Sequence, residues 1–171
     1  LSLDAQRGMG QSLAFEAMQL AIERAKQHGV CVMGLKNAHH IGRIGHWAEQ
    51  AVAAGMVSLH FVNAMSVPVV APFRGSQARY VTNPFTVGIP VPGREPLLLD
   101  FATSAIAMGK VRVAYNSGKK VPGQMLMDAQ GDYTDDPAAL FPPAGQPGGA
   151  LVPFAQHKGY ALAMVVEVLA A

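Results

Sequence analysis

The run Gly8-Met-Gly-Gln-Ser-Leu-Ala-Phe-Glu-Ala-Met-Gln-Leu-Ala-Ile-Glu-Arg-Ala-Lys-Gln-His28-Gly-Val-Cys-Val-Met-Gly-Leu35 carries two hydrophobic patterns in succession. Leu13, Ala14, Ala17, Met18, Ala21, Ile22 and Ala25 recur at three- and four-residue spacing, with Ser12 as a candidate cap and Gly29 as a stop. That spacing predicts an amphipathic helix over 11–28. The apolar residues after Gly29 predict a short buried strand over 30–35. Gly8 and Gly10 begin a Gly-x-Gly-x-x-Gly pattern, but Leu13 holds the third position and no apolar strand precedes it. The Rossmann fingerprint therefore fails.

Working outward, residues 36–45 are too polar and too rich in glycine to prolong a strand, so they read as a loop feeding a helix over 46–54. Gly55 ends that helix and 57–62 reads as a second strand. Helix, strand, loop, helix and strand in this order suggest an α/β layer. Pro68 and Pro72 make 67–75 irregular, while 85–89 and 97–99 are apolar runs spaced like a hairpin. Residues 102–108 read as a short helix, 111–115 as a strand and 128–131 as a turn. Prolines and glycines across 135–149 indicate a surface excursion with at most one helical turn. The near-uniformly apolar segment 158–171 predicts a buried helix.

With 171 residues, half of them apolar and 14% charged, the chain can bury a real core, and one compact domain is the simplest expectation. The 13 basic residues are scattered and the formal charge is only +2, which excludes an electrostatic footprint for nucleic acid. No run approaches the roughly 18 apolar residues that span a bilayer, and no export signal opens the chain. A soluble cytoplasmic protein is expected, and the single Cys31 fits a reducing compartment. The chain begins Leu1-Ser-Leu and stops at Ala171 inside a helical pattern, so 1–171 is expected to be the core of a longer protein, cut at both ends.

Among residues that could carry chemistry, His39, His40 and His46 stand close together. A zinc site is one reading, but the usual ligand spacings are missing and no acidic residue lies between Lys36 and Trp47, so no metal is expected. A general acid or base in a glycine-lined loop is another, since the ordinary imidazole titrates near neutrality. A plain loop histidine is the third. Met108-Gly-Lys110 is followed by Val111, which excludes a P-loop. In Leu97-Leu-Leu-Asp-Phe-Ala-Thr-Ser104 a strand runs into an acid and two hydroxyls. A helix starting there would either seat an anion or ribose or simply be capped by those residues. Lys158 at the start of the last helix would be either a phosphate partner or a surface cation.

Taken together, Asn37-Ala-His-His-Ile-Gly-Arg-Ile-Gly-His46, Thr82-Asn-Pro84, Asp100-Phe-Ala-Thr-Ser-x-x-Ala-x-Gly-Lys110, Asp128-Ala-x-Gly131 and His157-Lys-Gly-Tyr160 resemble, in this order, the malate/L-lactate dehydrogenase family. The resemblance runs over nearly the whole chain. Within the family, Leu151-Val-Pro-Phe-Ala-Gln-His-Lys-Gly-Tyr160 is most similar to the bacterial hydroxycarboxylate dehydrogenases, which reduce 2-oxo acids.

The resemblance implies an α/β fold of α+β type, with a mixed, largely antiparallel sheet that binds NAD or NADP without a Rossmann unit, in a homodimer. It implies His40 as the proton-transfer residue, in preference to His39. It further implies cofactor contacts at Thr82, Asp100, Phe101, Ala102, Gly109, Lys158 and Gly159. The substrate class is 2-hydroxy or 2-oxo acids, whose carboxylate needs a cation, and Arg43 is the local candidate. Two departures stand out: the family's N-terminal Ser-His-Gly segment has no counterpart in these 171 residues, and Ala64 stands where some members have serine. A non-catalytic remnant or dimerisation module of the same fold is therefore the alternative.

Overall fold

In the computed structural model, which describes residues 1–171, the apolar spacing near the N-terminus is realised as helix α1 (Gly10–His28), stopped by Gly29 at φ 81°. Ser12 does not cap it. Met9 precedes the helix without a side-chain cap, and a Cβ on Gly10 would run into the carbonyls of His39 and His40, so close backbone approach sets the start. The chain divides into two compact units, Leu1–His60 with Phe85–Phe101, and Phe61–Pro84 with Ala102–Ala171.

In the first unit, β1 (Ser2–Asp4) pairs in parallel with β2 (Gly34–Lys36), Leu3 opposite Leu35. The buried strand expected over 30–35 is therefore corrected to a three-residue one beginning at Gly34, and Val30 and Val32 are 70% and 82% exposed. Their hydrophobicity was a poor guide because β2 has only β1 beside it to recruit them. Helix α2 (Gly45–Ala53) buries Trp47, Ala48 and Ala51, next to Ala14, Ala17 and Met18 of α1. A three-stranded sheet in the order β3 (Ser58–Phe61), β4 (Phe85–Ile89), β5 (Leu97–Phe101) carries α2 on one face. The hairpin expectation holds: β4 and β5 are antiparallel, with Phe85 opposite Phe101 and Ile89 opposite Leu97. Gly88 is where helix meets sheet, since a Cβ there would press on Val52 at 2.9 Å and Ala48 at 3.1 Å.

In the second unit, β6 (Leu126–Met127) lies between β7 (Tyr133–Thr134) and β8 (Ala150–Leu151), antiparallel to both. Its core is Val70, Val111, Val121, Leu126 and Leu151. The helix expected over 102–108 and the strand over 111–115 are both corrected. Residues Ala102 to Ala107 bend, with Ala105 N–H donating to Val152 and Ser104 Oγ to the carbonyl of Ile106, and helix α3 (Met108–Asn116) follows. A strand would set Val111 and Val113 on one face; in α3 they part, at 0% and 65% exposure. One 3-10 turn, Pro137–Leu140, interrupts the proline-rich excursion, as expected. Helix α4 (His157–Ala170) forms, but burial is confined to Gly159, Ala163 and Val166, while Val168 and Leu169 are exposed. The mixed, largely antiparallel α/β architecture is that read from the sequence. No helix is long and apolar enough to cross a membrane.

Candidate functional site

The first unit builds a histidine loop from both flanks. Asn37, at φ 57°, donates from Nδ2 to Asp4 at 3.0 and 3.1 Å, while its carbonyl receives Arg7 N–H at 2.7 Å. Gly10 packs under the His39 and His40 carbonyls, and buried Trp47 donates from Nε1 to the Ile41 carbonyl at 3.0 Å. The loop backbone is thus pinned, while the His40 ring is exposed. Gly42, at φ 80°, donates its N–H to His40 Nδ1 at 3.0 Å. A neutral His40 in this geometry carries its proton on Nε2 and offers an N–H donor to a substrate oxygen. To accept a proton at Nε2, the ring must carry its hydrogen on Nδ1 instead and release Gly42.

Arg43 is not free. Its Nη2 donates to both carboxylate oxygens of Glu49 at 2.8 and 2.7 Å, and Nη1 lies 3.8 Å from Asp100 Oδ2. The Glu49 hydrogen bonds hold its guanidinium pKa above the ordinary value, so it stays a cation. A substrate carboxylate at Arg43 must compete with Glu49. Beside it lies an open depression of about 600 Å³, lined by Phe15, Glu16, Ile41, Arg43, His46 and Trp47 among others, though not by His40.

Asp100 sits at the end of β5, yet its carboxylate turns inward to accept Gly45 N–H at 2.9 Å and Thr86 Oγ1 at 2.8 Å. It therefore caps α2, the helix that precedes it in sequence. The helix pictured as starting after Asp100 does not exist, so its N-terminus offers no anion seat. Phe101 stacks edge-on against Phe85 with ring centres 6.0 Å apart. His60, also in this unit, has its pKa lowered because burial penalises the charged ring, a penalty the Asp100 charge partly offsets.

The second unit joins the other expected residues. Thr103, fully buried, donates from its backbone and its hydroxyl to the Thr82 carbonyl at 2.9 and 3.1 Å, and from the hydroxyl to the Asn83 carbonyl at 3.1 Å. Its own carbonyl receives Phe154 N–H at 3.0 Å, and the Phe154 carbonyl receives Gly159 N–H at 3.1 Å. A Cβ on Gly159 would collide with that same Phe154 carbonyl, so only glycine permits this closure. Ala155 and Gln156, at φ 44° and 56°, turn the chain sharply into α4, and Lys158 then stands exposed in its first turn. None of the ion pairs involves Lys158, so its charge and the adjoining helix dipole are unanswered within the chain. Ala102 adjoins Thr103, and Gly109 is exposed in the first turn of α3 with open space where a Cβ would be.

An unpaired lysine in the first turn of α4, held on a clamped glycine, and an exposed glycine in the first turn of α3 could hold an anionic group. No group of three His, Cys, Asp or Glu side chains could hold a metal ion. Sequence reasoning passed over Thr103 as a connector, gave Asn83 only as the middle of the Thr82-Asn-Pro84 motif with no role of its own, and did not single out Glu167. Glu167 had a visible signal, as the one acid of the helix and the only charged residue after its first turn.

The comparisons agree over the full chain. The model of the family described as Malate/L-lactate dehydrogenase matches residues 1–171. Hydroxycarboxylate dehydrogenase B of Escherichia coli is 53% identical over 169 residues, covering 99% of this chain and 46% of that protein. L-lactate dehydrogenase of Cupriavidus necator is 48% identical, covering 98% and 48%. The solved structure of delta1-piperideine-2-carboxylate reductase from Pseudomonas syringae superposes with a TM-score of 0.87 at 38% identity, covering 99% of this chain and 50% of that one. The chain spans about half the length of the relatives it matches.

Proposed function

The chain belongs to the malate/L-lactate dehydrogenase family, and from that membership we propose that it is the central part of a dehydrogenase interconverting 2-hydroxy and 2-oxo acids with NAD or NADP. The observation that carries the reading is His40: an exposed imidazole on a pinned backbone, its tautomer set by Gly42. In the reducing direction its Nε2–H hydrogen-bonds the substrate C2 oxygen; delivery of that proton needs the doubly protonated ring, whose Nδ1–H likewise releases Gly42. In oxidation the same nitrogen takes the hydroxyl proton after Gly42 is released. The nicotinamide supplies or receives the hydride when bound.

Lys158 and the first turn of α4 hold the cofactor's negative charge, with Gly159 keeping that turn seated on Phe154. The segments at Thr82, at Ala102 and at Gly109 contribute contacts, as do Asp100 and Phe101 through their backbone, because the Asp100 carboxylate is already occupied. Arg43 receives the substrate carboxylate. The reading includes a homodimer working in the cytoplasm.

Fluorescence titration of this chain and of the full-length protein with NADH and NADPH tests it. Binding in the micromolar range that Lys158→Ala weakens and His40→Ala spares is the expected result. A folded full-length protein that binds neither cofactor is a non-catalytic member of the fold instead.

A further inference from the structure

We propose that Glu167 is a positioning residue that holds two loops, at Asn63 and at Asn83, in the shape that receives the cofactor, an inference that rests on the dehydrogenase reading above.

Glu167 is the only acidic residue of α4 and is partly buried. A partly buried carboxylate needs hydrogen bonds in place of the water it has lost. Here the compensation comes from two neutral amides: Asn83 Nδ2 donates to Oε2 at 2.6 Å and Asn63 Nδ2 to Oε1 at 3.3 Å. Each amide belongs to a different loop. Asn63 follows β3 and leads into the exposed Ala64-Met65-Ser66 segment, and Asn83 follows Thr82.

Asn83 shows why a tether is needed. It is fully buried at φ 27° and precedes Pro84. A residue before proline is pushed toward extended backbone, so a left-handed Asn83 is strained and persists only where its surroundings fix it. Three bonds do so: its amide to Glu167, the same amide to the Ala163 carbonyl at 3.4 Å, and its carbonyl to Thr103 Oγ1. Two of the three come from α4. The helix that presents Lys158 in its first turn therefore sets, from its last turns, the backbone that presents Thr82. The Glu167 charge also bears on Tyr80, whose hydroxyl pKa is raised by burial first, then by the Tyr160 hydrogen bond and charge and last by Glu167, so the tyrosine stays neutral.

The test compares the full-length parent protein with Glu167→Ala, Glu167→Gln, Asn63→Ala and Lys158→Ala, measuring the Kd of NADH and NADPH and the separate KM values for cofactor and oxo acid. Glutamine keeps one acceptor, Oε1, and with it one of the two amide tethers, without requiring Asn83 to turn its oxygen toward the Ala163 carbonyl; alanine keeps neither. Glu167→Ala is expected to weaken cofactor binding roughly tenfold or more, as loss of a charge-assisted hydrogen bond allows, with little change in the oxo-acid KM. Glu167→Gln is expected within about threefold of the parent. Asn63→Ala, which loosens one loop only, keeps the test open if Glu167→Ala does not fold; a weakening of several-fold supports the proposal and parent-like affinity overturns it. Parent-like cofactor affinity in Glu167→Ala, while Lys158→Ala is weakened, overturns the positioning role alone. A parent that binds neither cofactor overturns the dehydrogenase reading and this proposal together.

Discussion

Asp100 caps a helix that begins more than fifty residues before it: its Oδ2 accepts the N–H of Gly45, the first residue of α2, at 2.9 Å. Asp100 Oδ1 meanwhile accepts the hydroxyl of fully buried Thr86. Asp100→Ala leaves both donors unanswered. It is expected to lower the unfolding free energy by about 2–3 kcal/mol, with Asp100→Asn costing less because one acceptor oxygen survives. Denaturant titration checks both. A cofactor Kd that changes in proportion to stability would mean that the carboxylate acts through the fold.

Gly10 governs the histidine loop. A Cβ there collides with the His39 and His40 carbonyls, so Gly10→Ala must push that backbone outward. Overpacking of this kind costs about 1–3 kcal/mol, and here it also moves His40. The expected outcome is a kcat lowered at least tenfold with a smaller effect on cofactor Kd, since none of the proposed cofactor contacts is among the atoms a Cβ on Gly10 presses on.

Arg43 and Glu49 offer a competition test. If Arg43 receives the substrate carboxylate, it must leave a two-pronged bond with Glu49. Glu49→Gln should then lower the oxo-acid KM by several-fold, and Arg43→Ala should raise it. An unchanged KM in both variants removes Arg43 from substrate binding.

His60 makes part of the stability depend on pH. Its pKa is lowered in the folded chain, chiefly by burial. The unfolded chain therefore takes up a proton first as pH falls. The stability associated with neutral His60 is complete above the ordinary value of about 6.5 and is lost as pH drops through the lower folded value. Thermal unfolding followed from about pH 7 to about pH 5 should show a steeper decline in the parent than in His60→Gln.

How much of this was legible depends on what a residue needs around it. α1 and the β4–β5 hairpin could be read because their apolar periods describe one face against one core. Gly29 announced its own left-handed turn. Val30 and Val32 misled because hydrophobicity names no neighbour, and the same is true of Val168 and Leu169 in α4. Residues 102–116 depart from the expected elements because Thr103 and Ala105 find long-range backbone partners, Phe154 and Val152, in place of local helical ones.

In the candidate site, motif resemblance pointed to His40, Thr82 and Lys158 but was silent on what restrains them. Asp100 was legible as a polar strand end; that its carboxylate belongs to α2 was not, because the Gly45 contact spans the sequence. Thr103, Asn83 and Glu167 form a network of single bonds between distant segments, which no local period encodes.

The most direct measurement is turnover of NADH and NADPH by the full-length protein against a panel of 2-oxo acids, for the parent, His40→Ala and Lys158→Ala. The account predicts oxo-acid-dependent oxidation of one cofactor, kcat reduced by about a hundredfold or more in His40→Ala without loss of cofactor affinity, and cofactor KM raised in Lys158→Ala. Turnover in His40→Ala equal to the parent, or no cofactor oxidation with any 2-oxo acid by a folded parent, would contradict it.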